Sequence, residues 1–191
     1  MAIALGHPLV VAADLYAASA HAAAGQLQKY TGLPYTAHTR AVTALLARYT
    51  DCPASLAASH LHDVLEDTCT EKDDLVMRFG PEVASLVDEV TKRNVVGPAP
   101  RSVKAAAEAL RIARISPAAK NIKCADVVIN ISDIVARDAR FARTYVPEKR
   151  ALLPSLAGAH PALLSLVEVT VARAELDLVA SVTRRSVGPR P

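Results

Sequence analysis

The sequence predicts an all-α domain, a helical bundle of about eight to nine helices, and three observations carry that prediction. About half of the 191 residues are apolar, alanine and leucine dominate, and there are only seven glycines and no tryptophan. Apolar residues recur at helical spacing in most segments, and prolines and glycines punctuate the chain between them. No segment alternates polar and apolar residues as a half-buried strand does.

The helices are assigned in chain order from their start and stop signals. Gly and Pro in the turn at 31–34 separate the first two, and Pro53 suits the first turn of the third. Thr70 caps the fourth with Asp73 in the capping-box position, and Gly80 with the following proline separates the fourth from the fifth. The predicted helices span residues 10–29, 37–49, 53–67, 71–79, 82–92, 102–115 and 117–136, and two more begin at Pro147 and Pro161.

Length and charge limit the class of protein. We assign residues 1–182 to a single domain and 183–191 to a flexible C-terminal tail. A net charge of +3, without a basic stripe interleaved with aromatic residues, predicts no nucleic-acid partner. No apolar run reaches the roughly 18 residues that a membrane helix needs, so we expect no membrane partner. Three scattered cysteines favour a reducing, cytoplasmic location, and the oligomeric state is left open.

The segment 59–68 carries a dense set of imidazole and carboxylate groups. On a continuous helix His62, Asp63, Glu66 and Asp67 share one side and the apolar residues share the other. Like charges at i,i+4 destabilise a helix, and a bound cation removes that repulsion. Taken alone, the segment is equally compatible with a solvated acidic face.

A second polar stripe lies on the apolar segment 121–133. Lys123, Asp126, Asn130 and Asp133 follow one another at helical spacing on a helix that is otherwise expected to be buried. Buried ionised groups are costly unless they are paired or metal-bound. A Lys123–Asp126 ion pair explains two of these residues and leaves the other two without a reason.

His38, at the start of the second predicted helix, supplies the group that the other two segments lack. A lone histidine there is more commonly structural, but with His62, Asp63 and Asp126 it forms a set of two imidazoles and two carboxylates. Such mixed ligation suits Mn²⁺ or Fe²⁺ and, less specifically, Zn²⁺. We therefore predict these four residues as metal ligands, with positions left for water and a phosphate oxygen.

These segments together resemble the H…HD…D pattern of the HD metal-dependent phosphohydrolases. The resemblance is closest to the hydrolase domain of RelA/SpoT-type alarmone enzymes and covers roughly residues 20–135 in order. The matching stretches are 25–38 against G-Q-x-R-K…G-x-P-Y-x-x-H, 61–68 against L-H-D-V-x-E-D-T, 79–83 with 90–92 against F-G-x-E-V…V-T-K, and 122–130 against K-L-A-D-x-x-x-N.

The resemblance implies an HD-type helical fold, Mn²⁺, and removal of the 3′-diphosphate from a guanosine tetra- or pentaphosphate by a stand-alone, small hydrolase. Glu66 and Asp67 match the acidic pair that positions or deprotonates the attacking water. The residues that it places near the nucleotide substrate are Lys29, Lys123 and Asn130, and we add Tyr145 beyond the firm match.

Three departures from the family pattern leave alternatives open. Gln28 stands where the family has the Arg of R-K, Thr39 replaces a proline, and Val127 replaces an arginine. The loss of a cation at Gln28 favours a second hypothesis, an HD phosphohydrolase that acts on a different nucleotide or on a phosphorylated cofactor. A third hypothesis is a catalytically inactive HD domain that binds a nucleotide.

Overall fold

The computed structural model describes residues 2–93 and 97–186, and within these ranges the chain is helical, which confirms the all-α prediction. Eight helices of at least eight residues are joined by two short ones and a 3₁₀ turn. An isolated antiparallel bridge pairs Leu27 with Pro34. The helices are α1 (Ala2–Leu5), α2 (Pro8–Ala23), α3 (Thr36–Leu46), α4 (Pro53–His60), α5 (Val64–Asp67), α6 (Lys72–Val90), α7 (Arg101–Ile112), α8 (Pro117–Arg137), α9 (Ala139–Leu152) and α10 (Pro161–Ser186), with the 3₁₀ turn at Leu153–Leu156.

Helix α2 ends six residues before the predicted Lys29, and Gly25 is the physical reason. Its φ of 67° lies in the left-handed region, which glycine adopts without strain and which ends a helix. The amide of Gly25 donates to the Ala22 carbonyl and that of Gln26 to the His21 carbonyl, so the last turn is closed. Residues 26–35 are thereby released to form the loop that leads into α3.

Helix α9 corrects the prediction that a helix begins at Pro147, because Pro147 lies inside it. The helix begins eight residues earlier, where the Asp138 side chain accepts a hydrogen bond from the Phe141 amide at 3.0 Å. The predicted starts at Pro53, Pro117 and Pro161 are confirmed.

Helix α6 joins two predicted helices across a kink. Gly80 has a non-helical φ of 83°, and the next residue is Pro81, so the predicted interruption is present as a bend rather than a gap. The capping box lies one residue later than predicted, with Glu71 as the N-cap and Asp74 as its partner.

The core positions the site through α3, α4 and α8. Helix α4 packs against α2, α3 and α6, and α8 packs against α3, α6, α9 and α10. Leu56, Leu61 and Ile122 are fully buried among these helices, and truncating such a leucine to alanine typically costs about 2–5 kcal/mol. The helices that carry the candidate ligands therefore belong to the most tightly packed part of the fold.

Two predictions about the chain as a whole stay predictions. Helix α10 continues past the proposed boundary at residue 182 to Ser186, and residues 187–191 lie outside the described part of the chain. In the described ranges, no helix is long and apolar enough to cross a membrane. The cytoplasmic location is still a prediction.

Candidate metal centre and the cavity that it lines

The predicted helix 53–67 is wrong in one respect that matters for the site, because the chain breaks between α4 and α5. His62 and Asp63 lie in that break rather than on a continuous polar face. The fully buried Leu61 anchors the break in the core. His62 Nδ1 lies 2.8 Å from the Ser59 carbonyl oxygen and donates its proton there, which leaves the lone pair on Nε2.

Three of the four predicted ligands converge. His38 from α3, His62 from the break and Asp126 from α8 are buried, and their ligand atoms lie within 4.8 Å of one another. The Asp126 Oδ1 atom is 3.4 Å from His38 Nε2 and 3.8 Å from His62 Nε2. Both Nε2 atoms are buried without a hydrogen bond of acceptable geometry, and buried polar atoms are rarely left unsatisfied. Two orphaned imidazole nitrogens facing a carboxylate fit a divalent cation.

Asp63, the fourth predicted ligand, lies beside this group. Its Oδ2 atom is 3.1 Å from His62 Nε2 and 3.9 Å from His38 Nε2. The same oxygen accepts a hydrogen bond of 2.5 Å from the hydroxyl of Tyr35. Tyr35 is the tyrosine of the P-Y-x-x-H match, and the sequence reasoning gave it no role. Its spacing of three residues from His38 nevertheless places both residues on one face of a helix start.

On α8, two of the residues predicted to bind substrate hydrogen-bond to the carboxylate of Asp126. Lys123 Nζ donates to Asp126 Oδ2 at 2.9 Å, and the amide of Asn130 donates to Oδ1. Burial raises the pKa of Asp126, but the charge of Lys123 and the two histidines hold it well below its usual range. Asp133 does not join them, because it pairs with Arg137 at 3.6 Å.

The predicted acidic pair lies on α5, next to the metal centre. Glu66 and Asp67 both line a cavity that Asp63 and Asp126 also line. The backbone amide of Lys92 donates to Glu66 Oε1, which ties α5 to the end of α6. Desolvation, followed by the charge of Asp63, raises the pKa of both carboxyls above their ordinary values, which suits a general base.

The side chains that line this cavity of about 570 Å³ form two sets, which we call the acidic wall and the cationic wall. The acidic wall consists of Asp63 and Asp126 of the metal centre and of the acidic pair. Tyr145 also lines the cavity, and its contact with the substrate stays a prediction. Glu108 and Glu148 also line it, paired with Arg111 and Arg101.

The cationic wall consists of Lys92, Arg101, Lys104 and Lys149, and Lys123 also lines the cavity. Arg101, Lys104 and Lys149 were missed by the sequence reasoning, because nothing in their local pattern on α7 and α9 marks them. Lys92 belongs to the V-T-K match but was given no role.

Lys29 lines a second, smaller cavity of about 340 Å³ instead. Its ammonium group lies over the rings of Tyr30 and Phe141, at 4.8 Å and 5.2 Å from their centroids. Tyr35 and Asn130 line both cavities, so the two spaces adjoin. A ligand at the metal centre could therefore extend towards either of them.

The model of the HD domain family matches residues 13–158. The chain belongs to the HD domain family. HD domains bind divalent metal ions, and the His38–His62–Asp126 group of this HD domain has the donor set and the geometry for one.

Individual relatives are more specific than the family. A GTP pyrophosphokinase of Myxococcus xanthus is 40% identical over 84 residues, 44% of this chain and 11% of that protein. The human guanosine-3′,5′-bis(diphosphate) 3′-pyrophosphohydrolase MESH1 is 35% identical over 106 residues, 54% of this chain and 57% of that protein. The chain thus spans about a tenth of the long relative and a little over half of the short one.

Two solved structures resemble most of this chain. A metazoan orthologue of SpoT that hydrolyses ppGpp superposes with a TM-score of 0.76 at 27% identity, over 87% of this chain and 95% of that one. A Listeria monocytogenes protein superposes with a TM-score of 0.61 at 20% identity, over 72% of this chain and 97% of that one, and shows the fold alone. The predicted resemblance to RelA/SpoT-type HD hydrolases is thereby confirmed.

Proposed function

We propose that this HD domain removes the 3′-diphosphate of guanosine 3′,5′-bis(diphosphate) by metal-dependent hydrolysis, releasing pyrophosphate and GDP. The observation that carries the proposal is the buried His38–His62–Asp126 group, whose orphaned Nε2 atoms adjoin the cavity that holds the acidic pair. The named activities of human MESH1 and of the metazoan SpoT orthologue support the choice of substrate.

The proposed metal is Mn²⁺, with Fe²⁺ and Zn²⁺ as alternatives, and its ligands are His38, His62, Asp63 and Asp126. Two imidazoles with two carboxylates suit a borderline divalent ion rather than Ca²⁺ or Mg²⁺, which prefer oxygen ligands. When bound, the ion supplies water of lowered pKa and a positive charge for a phosphate oxygen.

The chain's own residues then handle the proton and the charge. Glu66 or Asp67 takes the proton of the attacking water, which their raised pKa values favour. Water oxygen attacks the phosphorus attached to the 3′ oxygen, the bond between that phosphorus and the 3′ oxygen breaks, and the proton returns to the 3′ oxygen. Lys123, which lines the cavity, offsets the negative charge that develops on the phosphoryl oxygens. Lys29, Asn130 and Tyr145 are proposed to contact the nucleotide.

The test is direct. Protein loaded with Mn²⁺ and freed of unbound metal is incubated with guanosine 3′,5′-bis(diphosphate), and GDP and pyrophosphate are quantified. We expect equal amounts of the two products from the wild type and none from His62→Ala. The proposal is contradicted if wild-type protein holds stoichiometric metal but releases no pyrophosphate. If the wild-type protein retains no metal, the result favours the hypothesis of an inactive, nucleotide-binding HD domain.

Gln28 supports a second candidate, an HD phosphohydrolase for a different nucleotide or a phosphorylated cofactor. Its side chain lines the smaller cavity beside Lys29, and its Oε1 atom accepts a hydrogen bond from Thr31 at 2.6 Å. The position therefore provides an amide where the family pattern has a guanidinium. A substrate panel at fixed Mn²⁺ separates the candidates, because the second predicts a higher kcat/KM for a compound other than guanosine 3′,5′-bis(diphosphate).

A further inference from the structure

Lys149 is a cation of the large cavity that the proposed chemistry does not use. It lies on α9, is half-buried, and lines the cavity that the acidic pair also lines. Its ammonium group lies 4.6 Å from the centre of the Tyr145 ring, one turn earlier on the same helix. The ring fixes the direction of the lysine side chain towards the cavity.

The carboxylates around Lys149 are engaged elsewhere. Its neighbour Glu148 receives two hydrogen bonds from Arg101, at 2.5 and 2.9 Å, and Glu108 receives two from Arg111, at 2.8 and 2.9 Å. Within the described residues, no carboxylate lies within ion-pair distance of the Lys149 ammonium group. A half-buried ammonium without a counter-charge is unfavourable, and a bound anion relieves that cost.

Lys149 lines the same cavity as Lys123 and Asp126. Burial lowers the pKa of Lys149 to about 8, and of the nearby charges Lys123 lowers it most while Asp126 raises it. Both residues belong to the metal end of the cavity, where Lys123 is bound to Asp126. Lys149 therefore shares the cavity that the metal centre lines through Asp63 and Asp126, and it does not line the smaller cavity that Lys29 lines.

We propose that Lys149 binds the terminal phosphate of the diphosphate group that is removed, so that the site selects diphosphate esters over phosphate monoesters. The first phosphate lies at the metal centre, and the second extends by one P–O–P linkage towards the cationic wall. The inference rests on the proposed function for the identity of the group that leaves, but it can be tested with the inorganic product alone.

The experiment compares pyrophosphate with inorganic phosphate by calorimetric titration into Mn²⁺-loaded protein freed of unbound metal. The variants are Lys149→Met, Lys149→Arg and, as a matched control, Arg143→Met, an exposed cation of the same helix that does not line the cavity. We expect the wild type to bind pyrophosphate more tightly than phosphate. Lys149→Met should weaken pyrophosphate binding about tenfold or more, as expected for a lost charged hydrogen bond, and leave phosphate binding unchanged.

Lys149→Arg should retain most of the preference for pyrophosphate, because it keeps the charge, and Arg143→Met should retain all of it. The inference is overturned if the wild type binds pyrophosphate and phosphate with equal affinity. It is also overturned if Lys149→Met weakens the binding of both anions equally while its melting temperature is unchanged. A preference that depends on Lys149, without hydrolysis of guanosine 3′,5′-bis(diphosphate), refutes the proposed function and leaves the diphosphate site standing. Hydrolysis of guanosine 3′,5′-bis(diphosphate), together with a preference for pyrophosphate that Lys149→Met leaves unchanged, supports the proposed function and overturns the diphosphate site.

Discussion

The two walls of the large cavity differ in how their side chains are held. The metal wall is the metal centre, which reaches the large cavity through Asp63 and Asp126 of the acidic wall. There His38, His62 and Asp126 are at most 6% exposed, and each comes from a helix, or from the break between α4 and α5, that packs in the core. On the cationic wall, Lys104 is exposed and Lys149 is half-buried, on helices α7 and α9 at the edge of the bundle. Metal ligation requires fixed positions, whereas phosphate binding by ammonium groups tolerates movement.

The largest effect should come from breaking the metal wall. His62→Ala removes a proposed metal ligand. It should weaken Mn²⁺ binding by more than the roughly 10–100-fold loss that is typical when a residue hydrogen-bonded to a metal ligand is mutated. Metal content after dialysis and calorimetric titration of Mn²⁺ measure it. His160→Ala, an exposed histidine, is the control. Stoichiometric, tightly bound metal in His62→Ala would remove His62 from the ligand set.

The second effect concerns the acidic pair. Glu66→Gln should lower kcat by roughly 10²–10⁴-fold if Glu66 is the general base, with Mn²⁺ affinity unchanged. The base acts when ionised, and its pKa is raised above the ordinary 4.5. Activity should therefore fall as the pH drops through that raised pKa, and this acid limb should disappear from the pH profile of kcat/KM in the variant.

Two comparisons sharpen that result. Glu82→Gln, an exposed carboxylate on α6, should leave kcat unchanged. Asp67→Asn is the direct rival, because both carboxyls line the cavity and both have a raised pKa. A large loss of kcat in Asp67→Asn with little change in Glu66→Gln would assign the base to Asp67 instead.

Tyr35→Phe should give an intermediate effect on the metal wall. The phenol orients Asp63, and its ring is held between His21 and His38, with centroids 4.7 and 5.4 Å away, so phenylalanine keeps the packing. Loss of such an orienting hydrogen bond should weaken Mn²⁺ binding about 10–100-fold, measured by titration.

Tyr30→Phe is the matched control for Tyr35→Phe. Its hydroxyl also donates to a carboxylate, that of Asp138 at 3.1 Å, but away from the metal centre. Its Mn²⁺ affinity should equal that of the wild type. If the two variants bind Mn²⁺ with the same affinity, Tyr35 does not position Asp63.

The smallest effect belongs to the cationic wall. Arg101→Met removes a cation and leaves the charge of Glu148 uncompensated beside Lys149. Pyrophosphate binding should weaken about two- to fivefold, as expected for a half-exposed ion pair worth roughly 0.2–1 kcal/mol. Arg173→Met, which loses its pair with Asp177 on α10, should bind pyrophosphate as the wild type does. Tighter pyrophosphate binding by Arg101→Met would contradict the expectation that Arg101 supports anion binding at the cationic wall.

The sequence by itself determined the helical class and the residues of the metal wall. His38, His62 and Asp126 converge as the three segments together predicted, although His62 lies in a break and not on a continuous helix, and His38 had no signal of its own. The same local reasoning extended α2 to Lys29, because it gave helical propensity more weight than the glycine that ends the helix. It also treated 53–67 as one helix, although burial of Leu61 turns the chain there.

Only the tertiary structure decided the cationic wall and the partners of the ligands. Lys149 and Lys104 are ordinary helix-surface residues in the sequence, and they become part of a cavity only because α7 and α9 contact each other and line the same space as α5. Lys123 and Asn130, predicted as substrate residues, also hydrogen-bond to Asp126, which no local pattern indicated. A local pattern records which residue types stand together on one element, but contacts between distant elements depend on packing, which no short segment encodes.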